Sequence, residues 1–439
     1  MISRVFSPSA AVRWRAAQTR LSCSTPTGED KPRPSMMRHL TSKIKATGPI
    51  TVAEYMREAL TNPVTGYYVR NNMLGPDGDF ITSPEISQIF GELLGVWTLS
   101  EWMAAGRPRR LQLVELGPGR GSLAADVLRV FSQLRSVVGG ASVSLHLVEV
   151  SPVLSRLQAQ NLTGSRNQEA ESEDQLVYRR GETADGLPVS WYRRLEDVPS
   201  GFSIFLAHEF FDALPIHTFQ RTARGWREVM VDIDPEEADR LRFVLAPSPT
   251  PASATLLQAD ERRGHVEVCA VGGVVVQQLA RRIKEDGGAA LIADYGHDGT
   301  KTDTFRGFKG HRLHDVLTAP GSADLTADVD FSFLRRMAGG GVACVGPVTQ
   351  RAFLKNMGID TRLQVLLRNC TDASTREQLL RSYDLLTGRS QMGERFHFFG
   401  LLHPSRLAPP PRASGAGLKL EKNRAAPLPV AGFTELGLA

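Results

Sequence analysis

Three glycines separate an apolar run from an amphipathic one in the stretch LQLVELGPGRGSLAADVLRVF, residues 111–131. Gly117, Gly119 and Gly121 come directly after a predicted strand and directly before a predicted helix. Glycines in that place let the backbone approach a ligand closely and aim free amide groups at it. The pattern therefore predicts a nucleotide-type cofactor site. A tight turn that needs small residues is the alternative.

Three further residues bear on which cofactor this loop would bind. The dinucleotide fingerprint is GxGxxG, but this loop reads GxGxG and has Ser122 where the third glycine would stand, which disfavours NAD. Glu115 precedes the glycines by two residues, and a carboxylate there attracts the ammonium and sulfonium of S-adenosylmethionine but repels a pyrophosphate. Glu149, in HLVEVS, ends the next predicted strand and suits a ribose, which both cofactors carry. We expect S-adenosyl-L-methionine, bound by Glu115, Gly117, Gly119, Gly121 and Glu149.

The fourth predicted strand ends in AHEFFDALP, at the sheet edge where a substrate would meet the cofactor. His208, Glu209 and Asp212 are the candidate catalytic residues. Two carboxylates suit a guanidinium, because they accept its hydrogen bonds and can leave one nitrogen free to attack an electrophilic methyl. His208 could equally be a structural histidine. Phe210 and Phe211 are expected to pack in the core.

Two other segments have an open role. Asp294 and Tyr295, in IADYGH, either line the pocket or cap a fifth strand. GDFITSPEIS, residues 78–87, has the composition of a lid in which Ser83-Pro84-Glu85 opens a helix whose amide end could meet a carboxylate, but a plain helix start explains it equally well. No CxxC pair or other metal-ligand spacing stands out among the four cysteines, so no metal site is predicted.

Apolar runs alternate with amphipathic segments from residue 111 onward, which predicts an α/β fold with a parallel sheet. Polar and apolar residues alternate over about 216–265, which predicts an antiparallel insertion. We predict a leader over residues 1–35, a helical and lid segment over 36–110, a catalytic core over 111–405 and a low-complexity tail over 406–439 rich in Pro, Gly and Ala.

The net charge of +5 is concentrated at the amino terminus, because residues 1–28 hold four arginines and no acid. Such a leader is typical of a mitochondrial transit peptide, and a disordered cytosolic tail is the alternative. The remainder is close to neutral, so nucleic acid is not an expected partner. The sequence has no run of about 18 apolar residues, so no membrane span is predicted.

Several separated motifs resemble the MidA-like family of S-adenosylmethionine-dependent methyltransferases. They are GDFITSPEISQIFGELLG, LVELGPGRGSL, HLVEVS, LAHEFFDALP and ADYGHDGTKTDTFRGF, and the resemblance covers roughly residues 36–405. It implies a Rossmann-like seven-stranded methyltransferase sheet with an N-terminal helical segment and an antiparallel β insertion. The loop acid, the glycines and the ribose acid match the family's cofactor motifs, whereas Glu209 and Asp212 as guanidinium clamps are assigned by analogy.

The resemblance also implies an activity. It is symmetric dimethylation of an arginine in a core subunit of mitochondrial complex I, in the matrix, during assembly of that complex. The protein substrate would be that subunit or an early assembly intermediate. An assembly chaperone that keeps the methyltransferase fold but acts by contact alone is the alternative, and restoration of assembly by a catalytically dead variant would distinguish it.

Overall fold

The computed structural model describes residues 35–70, 82–169, 175–237, 239–407 and 429–433. The predicted leader and part of the segment over 78–87 lie outside these residues. Across the described part of the chain, no helix is both long and apolar enough to cross a membrane.

The strands are β1 (Ile50–Thr51), β2 (Arg110–Leu116), β3 (Ser142–Val148), β4 (Asn167–Glu169), β5 (Val177–Glu182), β6 (Pro188–Tyr192), β7 (Ser203–His208), β8 (His217–Thr222), β9 (Gly225–Ile233), β10 (Leu241–Leu245), β11 (His265–Val268), β12 (Gly288–His297), β13 (Arg306–Lys309), β14 (Arg312–His314), β15 (Asp324–Thr326), β16 (Val329–Asp330), β17 (Ala343–Thr349) and β18 (Phe396–Leu402).

The helices are α1 (Met36–Thr47), α2 (Val52–Thr61), α3 (Tyr67–Arg70), α4 (Ser83–Ile86), α5 (Gln88–Ala104), α6 (Ser122–Gln133), α7 (Arg135–Val138), α8 (Pro152–Thr163), α9 (Pro251–Leu256), α10 (Ala270–Asp286), α11 (Phe331–Ala338), α12 (Gln350–Asn356), α13 (Ile359–Asn369), α14 (Ala373–Thr387) and α15 (Met392–Arg395). Short 3-10 turns occur at Leu195–Asp197, Gly339–Gly341 and Pro404–Arg406.

The central sheet has the strand order β6-β3-β2-β7-β12-β18-β17. Strands β6, β3, β2, β7 and β12 are parallel, and β18 runs antiparallel to β12 and β17. The order reverses at β2, whose neighbours β3 and β7 lie on opposite sides, so a crevice forms at the carboxyl ends of these strands. Strands β5 and β4 extend one edge of this sheet, and β16 pairs with β12. The predicted α/β fold with its seven-stranded sheet is confirmed.

Hydrophobic layers cover both faces of the sheet, because its parallel strands are apolar on both sides. Strand β7 is buried over its whole length. Helices α5 and α6 pack on one face with α8, α12 and α13, and helices α10 and α11 pack on the other. The antiparallel insertion is the sheet of β8 to β11, and its β9 also pairs with β1. Helices α1 and α2 pack against this sheet.

Residues 429–433 belong to the predicted low-complexity tail, yet they pack against the central sheet. Val430 is buried in the same hydrophobic cluster as Phe353 and Phe398. Phe433 lies edge-on to the Phe353 ring, with the ring centroids 5.5 Å apart. This short segment therefore contributes apolar contacts to the core.

Candidate functional site

A cavity of about 970 Å³ opens at the carboxyl ends of the central strands. Its walls come from the ends of β2, β3, β7 and β12, from helix α4 and from the small sheet of β13 to β15. The crevice at a switch in strand order is the usual ligand site of an open α/β sheet, so this cavity is the candidate site.

The glycine loop forms the wall of the cavity beneath β2. Gly117 and Gly119 have φ angles of 63° and 54°, a region that side chains rarely occupy. A Cβ on Gly117 would lie 2.8 Å from the Phe210 ring. Gly121 is the N-cap of α6 and lies behind the wall rather than in it. Of the three glycines, the first two therefore line the cavity.

Glu115 is a buried carboxylate at the end of β2 that faces the cavity. The backbone N–H of Ala124 donates to it, but its Oε2 has no hydrogen-bond partner among the described residues. Burial, and then the nearby Asp126, raise the pKa of Glu115 to about 8. A buried unpaired carboxylate oxygen is costly, so this atom is suited to a cationic ligand.

Glu149 follows β3 directly, and its carboxylate accepts hydrogen bonds from the backbone N–H groups of Val150 and Ser151 and from the Gln158 side chain. The Ser151 N–H lies 2.7 Å from its Oε1, and Gln158 Nε2 lies 3.0 Å from its Oε2. Burial raises the pKa of Glu149 to about 7. Each carboxylate oxygen can accept a second hydrogen bond, so the group remains able to accept from a diol.

Gln158 on helix α8 is a site residue that sequence reasoning missed. Its side chain is fully buried and donates to the Gly119 carbonyl oxygen at 2.7 Å as well as to Glu149. Its Oε1 accepts from the Trp191 indole at 3.0 Å. Gln158 therefore fixes the glycine loop relative to the acid after β3. Its place in the amphipathic pattern of α8 gave no signal for this role.

His208 and Glu209 lie at the end of β7. His208 is buried between Phe90 and Phe396, with ring centroids 5.0 and 6.5 Å away. Glu209 leaves the strand with a φ of 49°, a left-handed conformation that is rare outside glycine. The Ser83 N–H at the start of α4 donates to its carboxylate, so the amide end of the predicted lid helix does meet a carboxylate.

Asp212 contributes a second carboxylate to the same wall. It accepts a hydrogen bond at Oδ2 from the Tyr295 hydroxyl, while Oδ1 is buried without a partner in the described structure. Burial raises the pKa of Asp212 to about 6, against the lowering effect of Tyr295. Glu209 Oε1 is likewise buried and unpaired. Two residues of this wall thus each have one buried carboxylate oxygen without a hydrogen-bond partner among the described residues.

Asp294 supports the loop after β7 rather than the cavity wall. It is fully buried and accepts at Oδ2 from the backbone N–H groups of Phe211 and Asp212, at 3.1 and 3.3 Å. Its neighbour Tyr295 does line the cavity. Phe211 lies in the core as expected, but Phe210 lines the cavity beside Gly117. Tyr295 and Phe210 therefore line the cavity, whereas Asp294 and Phe211 are buried outside its lining.

The far wall holds acids that sequence reasoning did not single out. Asp324 accepts from the Tyr68 hydroxyl at 2.7 Å. Asp328 pairs with Arg306 and Lys301, each at 2.6 Å. The Arg306 guanidinium also lies over the Tyr295 ring, 5.0 Å from its centroid. Asp328 is thereby neutralised, whereas Glu209 and Asp212 each have a buried carboxylate oxygen without a partner in the described part of the chain.

The described part of the segment over 78–87 lies against the glycine loop and the loop after β7. Thr82 precedes α4, and its N–H donates to the Glu85 carboxylate at 3.2 Å. Burial raises the pKa of Glu85, which lies 3.9 Å from Arg120 on the glycine loop. The segment thus contacts both the glycine loop and Glu209. Residues 78–81 lie outside the described structure, and the lid role stays a prediction.

Comparisons with known proteins agree on one class. A family model described as "Putative S-adenosyl-L-methionine-dependent methyltransferase" matches residues 93–348. The mitochondrial protein arginine methyltransferase NDUFAF7 of Danio rerio is 66% identical over 402 residues, 92% of this chain and 93% of that protein. The human protein of that name is 60% identical over 411 residues, with 93% and 91% covered. The Drosophila melanogaster homolog is 50% identical over 381 residues, with 85% and 86% covered.

A solved structure shares the fold as well. A protein from Burkholderia thailandensis, determined with S-adenosyl-homocysteine bound, superimposes with a TM-score of 0.68 at 25% identity. The match covers 84% of this chain and 92% of that chain.

Proposed function

The chain belongs to the family of S-adenosyl-L-methionine-dependent methyltransferases, and from that premise we propose that it methylates an arginine side chain of a protein. One observation carries the proposal. Glu115 Oε2, Glu209 Oε1 and Asp212 Oδ1 are buried carboxylate oxygens without partners in the described structure, and all three residues line one cavity. Unpaired buried carboxylates suit cationic ligands, and both cofactor and guanidinium are cations.

The residues on the glycine-loop side fit the cofactor. Glu115 Oε2 would take the ammonium, the bare backbone at Gly117 and Gly119 would admit the methionyl end, and Glu149 would accept from the ribose hydroxyls. The sulfonium of S-adenosyl-L-methionine supplies an electrophilic methyl group. The protein's share is to hold the acceptor nitrogen in line with that methyl and to exclude water.

The loop after β7 fits a guanidinium. Glu209 Oε1 and Asp212 Oδ1 together offer two acceptors for a planar group with five N–H donors. A hydrogen bond orients each carboxyl group. The Ser83 N–H donates to Glu209, and the Tyr295 hydroxyl donates to Oδ2 of Asp212. A pair of acceptors binds a fork of donors better than the single ammonium of a lysine. The names of the relatives, which are protein arginine methyltransferases, support this choice of substrate.

The place of action is proposed on separate grounds. The relatives are named mitochondrial, and the arginine-rich stretch of residues 1–28 has the composition of a transit peptide. We propose the matrix as the compartment and a core subunit of complex I, free or in an early assembly intermediate, as the substrate. We propose symmetric dimethylation as the product. These finer statements rest on the resemblance of the motifs.

Mass spectrometry of complex I subunits tests the proposal. Cells that lack the protein are reconstituted with the wild-type chain or with Glu209→Gln, and purified subunits are searched for dimethylarginine. We expect one subunit to carry it only in the wild-type cells, with fragments that identify the symmetric form. Identical arginine modification in all cells would refute the activity. If Glu209→Gln restores assembly without the modification, the protein acts as a chaperone by contact.

A further inference from the structure

His208 and Glu209 face each other through two unpaired atoms. His208 Nε2 lies 3.4 Å from Glu209 Oε1, and both atoms are buried without a hydrogen-bond partner in the described structure. Consecutive residues of a strand point to opposite sides, but the left-handed φ of 49° at Glu209 brings the two side chains together. Buried polar atoms are nearly always paired, so a proton shared along this line would satisfy both.

The surroundings place that proton on the carboxyl group. Burial lowers the pKa of His208 to about 3, and the rings of Phe90 and Phe396 lie beside it. Burial, and then Asp212, raise the pKa of Glu209 well above its ordinary value, while the Ser83 N–H opposes this. The resting pair is then a neutral imidazole that accepts from a neutral carboxylic acid. The other acids that face Glu209 are Glu85, Asp294 and Asp324, and each disfavours a second negative charge.

We propose that Glu209 Oε1 takes the proton that the arginine nitrogen loses during methyl transfer, and that His208 Nε2 accepts the hydrogen bond of the resulting carboxylic acid. This inference rests on the proposed arginine substrate. The entering guanidinium stabilises Glu209 as a carboxylate, and the proton of the resting carboxylic acid leaves to solvent as the substrate binds. Glu209 then takes the N–H proton as the nitrogen–methyl bond forms and the sulfur–methyl bond breaks, with the bonding pair left on sulfur. The methylated guanidinium keeps one positive charge.

The role of His208 in this step is to position Glu209. A neutral imidazole has no negative charge, so it attracts the guanidinium less than the Glu209 carboxylate does. It lowers the cost of a buried carboxylic acid by accepting a hydrogen bond from the acid's O–H. The proton taken from arginine stays on Glu209 when the product departs, which restores the resting pair. The two buried atoms that lack a hydrogen-bond partner among the residues the structure describes are then explained by this shared proton.

Infrared spectroscopy tests the pair without turnover. In the ligand-free protein we expect the C=O band of a protonated carboxyl group, assigned to Glu209 by its loss in Glu209→Gln. His208→Leu, which removes the acceptor, is expected to shift this band to higher frequency, as for a carboxylic acid that loses its hydrogen bond. His208→Gln keeps an acceptor and is expected to leave the band near its wild-type place. No such band in the wild-type protein, or no shift in His208→Leu, would overturn the inference.

Kinetics with an arginine peptide test the catalytic consequence. His208→Leu is expected to lower kcat by roughly 10²-fold, within the range for general acid–base groups, and to leave the Kd for S-adenosyl-homocysteine within about twofold. His208→Gln is expected to recover much of kcat, and added imidazole to rescue His208→Gly. An unchanged kcat in folded His208→Leu refutes the role of His208. If the wild-type protein itself transfers no methyl to arginine, the proposed function fails and this inference fails with it.

Discussion

Gln158 Nε2 lies 2.7 Å from the carbonyl oxygen of Gly119. The same amide reaches Glu149, so one buried side chain ties the loop that would admit the methionyl end to the acid that would bind the ribose. The two halves of the cofactor site come from different strands. Their relative position therefore depends on a residue that belongs to neither.

Gln158→Leu is expected to weaken the binding of S-adenosyl-homocysteine by roughly 10- to 100-fold, equivalent to about 1–3 kcal/mol of lost buried hydrogen bonding. The substitution keeps the size of the side chain but leaves the Gly119 carbonyl and the Trp191 indole without this partner. Calorimetry measures the effect. Gln160→Leu, which lies exposed on the same helix, is the control and should bind as the wild-type protein does.

Gly119→Val is expected to abolish cofactor binding in a folded protein. The φ of 54° disfavours any β-branched residue, and the side chain would project where the ligand must contact the backbone. Calorimetric titration with S-adenosyl-L-methionine should give no binding heat, while circular dichroism remains that of the wild type. Gly139→Val is a matched control, because Gly139 has a similar φ of 62° and a Cβ there meets open space. Normal affinity in folded Gly119→Val would remove the glycine loop from the site.

Glu209→Gln is expected to bind the cofactor normally but to lose arginine methylation by roughly 10²- to 10⁴-fold, since it removes both the charge and the proton acceptor. Asp212→Asn is expected chiefly to raise KM for the arginine peptide. For the wild-type protein, kcat/KM for the peptide should fall as the pH drops, because Glu209, whose pKa lies well above its usual range, and then Asp212, with a pKa of about 6, become protonated and lose their charge. Glu237→Gln, an exposed acid on the insertion, controls for net charge. Full turnover by Glu209→Gln would exclude it from the mechanism.

Glu115→Gln is expected to stabilise the cofactor-free protein and to weaken its affinity for S-adenosyl-L-methionine. Burial raises the pKa of Glu115 from 4.5 to about 8, so the folded state binds more protons than the unfolded state across that window. The free energy of unfolding therefore falls as the pH rises from 4.5 to 8. Because glutamine cannot ionise, the substitution should raise the free energy of unfolding by at least ~1 kcal/mol at pH 8.

Binding should show the opposite dependence on pH. A cationic ligand needs Glu115 in its ionised form, so wild-type affinity for S-adenosyl-L-methionine should increase from pH 6 to pH 8. The increase should be smaller in Glu115→Gln, in which Glu149 and Asp126 still titrate nearby. Denaturant unfolding and calorimetry across this pH range check both statements. Equal pH dependence in the two proteins would show that Glu115 does not face the ligand's charge.

Phe433→Ala is expected to lower the free energy of unfolding by about 1–3 kcal/mol, the usual range for loss of a partly buried aromatic ring. The ring packs on Phe353, which is itself stacked on Phe398 at a centroid distance of 3.8 Å. Urea unfolding measures the change. Phe243→Ala, at a ring that is 45% exposed on β10, should change stability by less than ~0.5 kcal/mol. Equal stability of the two variants would show that residues 429–433 do not hold their packed position in solution.

The sequence predicts the glycine-loop half of the site well, for a physical reason. Glu115 and Gly117 lie on one strand–turn–helix unit, so their proximity follows from local geometry alone. The parallel sheet and the antiparallel insertion likewise follow from local patterns of apolar residues. The place of Glu149 needed only the assumption that β3 lies beside β2, which is confirmed.

The opposite half of the site could not be predicted in the same way. Tyr68 and Asp324 are 256 positions apart and meet only because the fold brings α3 and β15 together. No local spacing predicts such a contact. Asp294 and Tyr295 were ambiguous because side-chain direction alternates along β12, and only the strand's register shows which of them faces the cavity. The roles of these residues in catalysis stay predictions.

The left-handed backbone at Glu209 has a consequence for redesign. Glycine is the residue that this conformation favours, and a larger residue costs roughly 1–2 kcal/mol there. Any scheme that ranks substitutions by folding free energy alone would therefore choose glycine at this position and discard the carboxylate. On the proposed role of Glu209, a hyperstable version of this protein obtained in that way would keep its shape and lose methyl transfer.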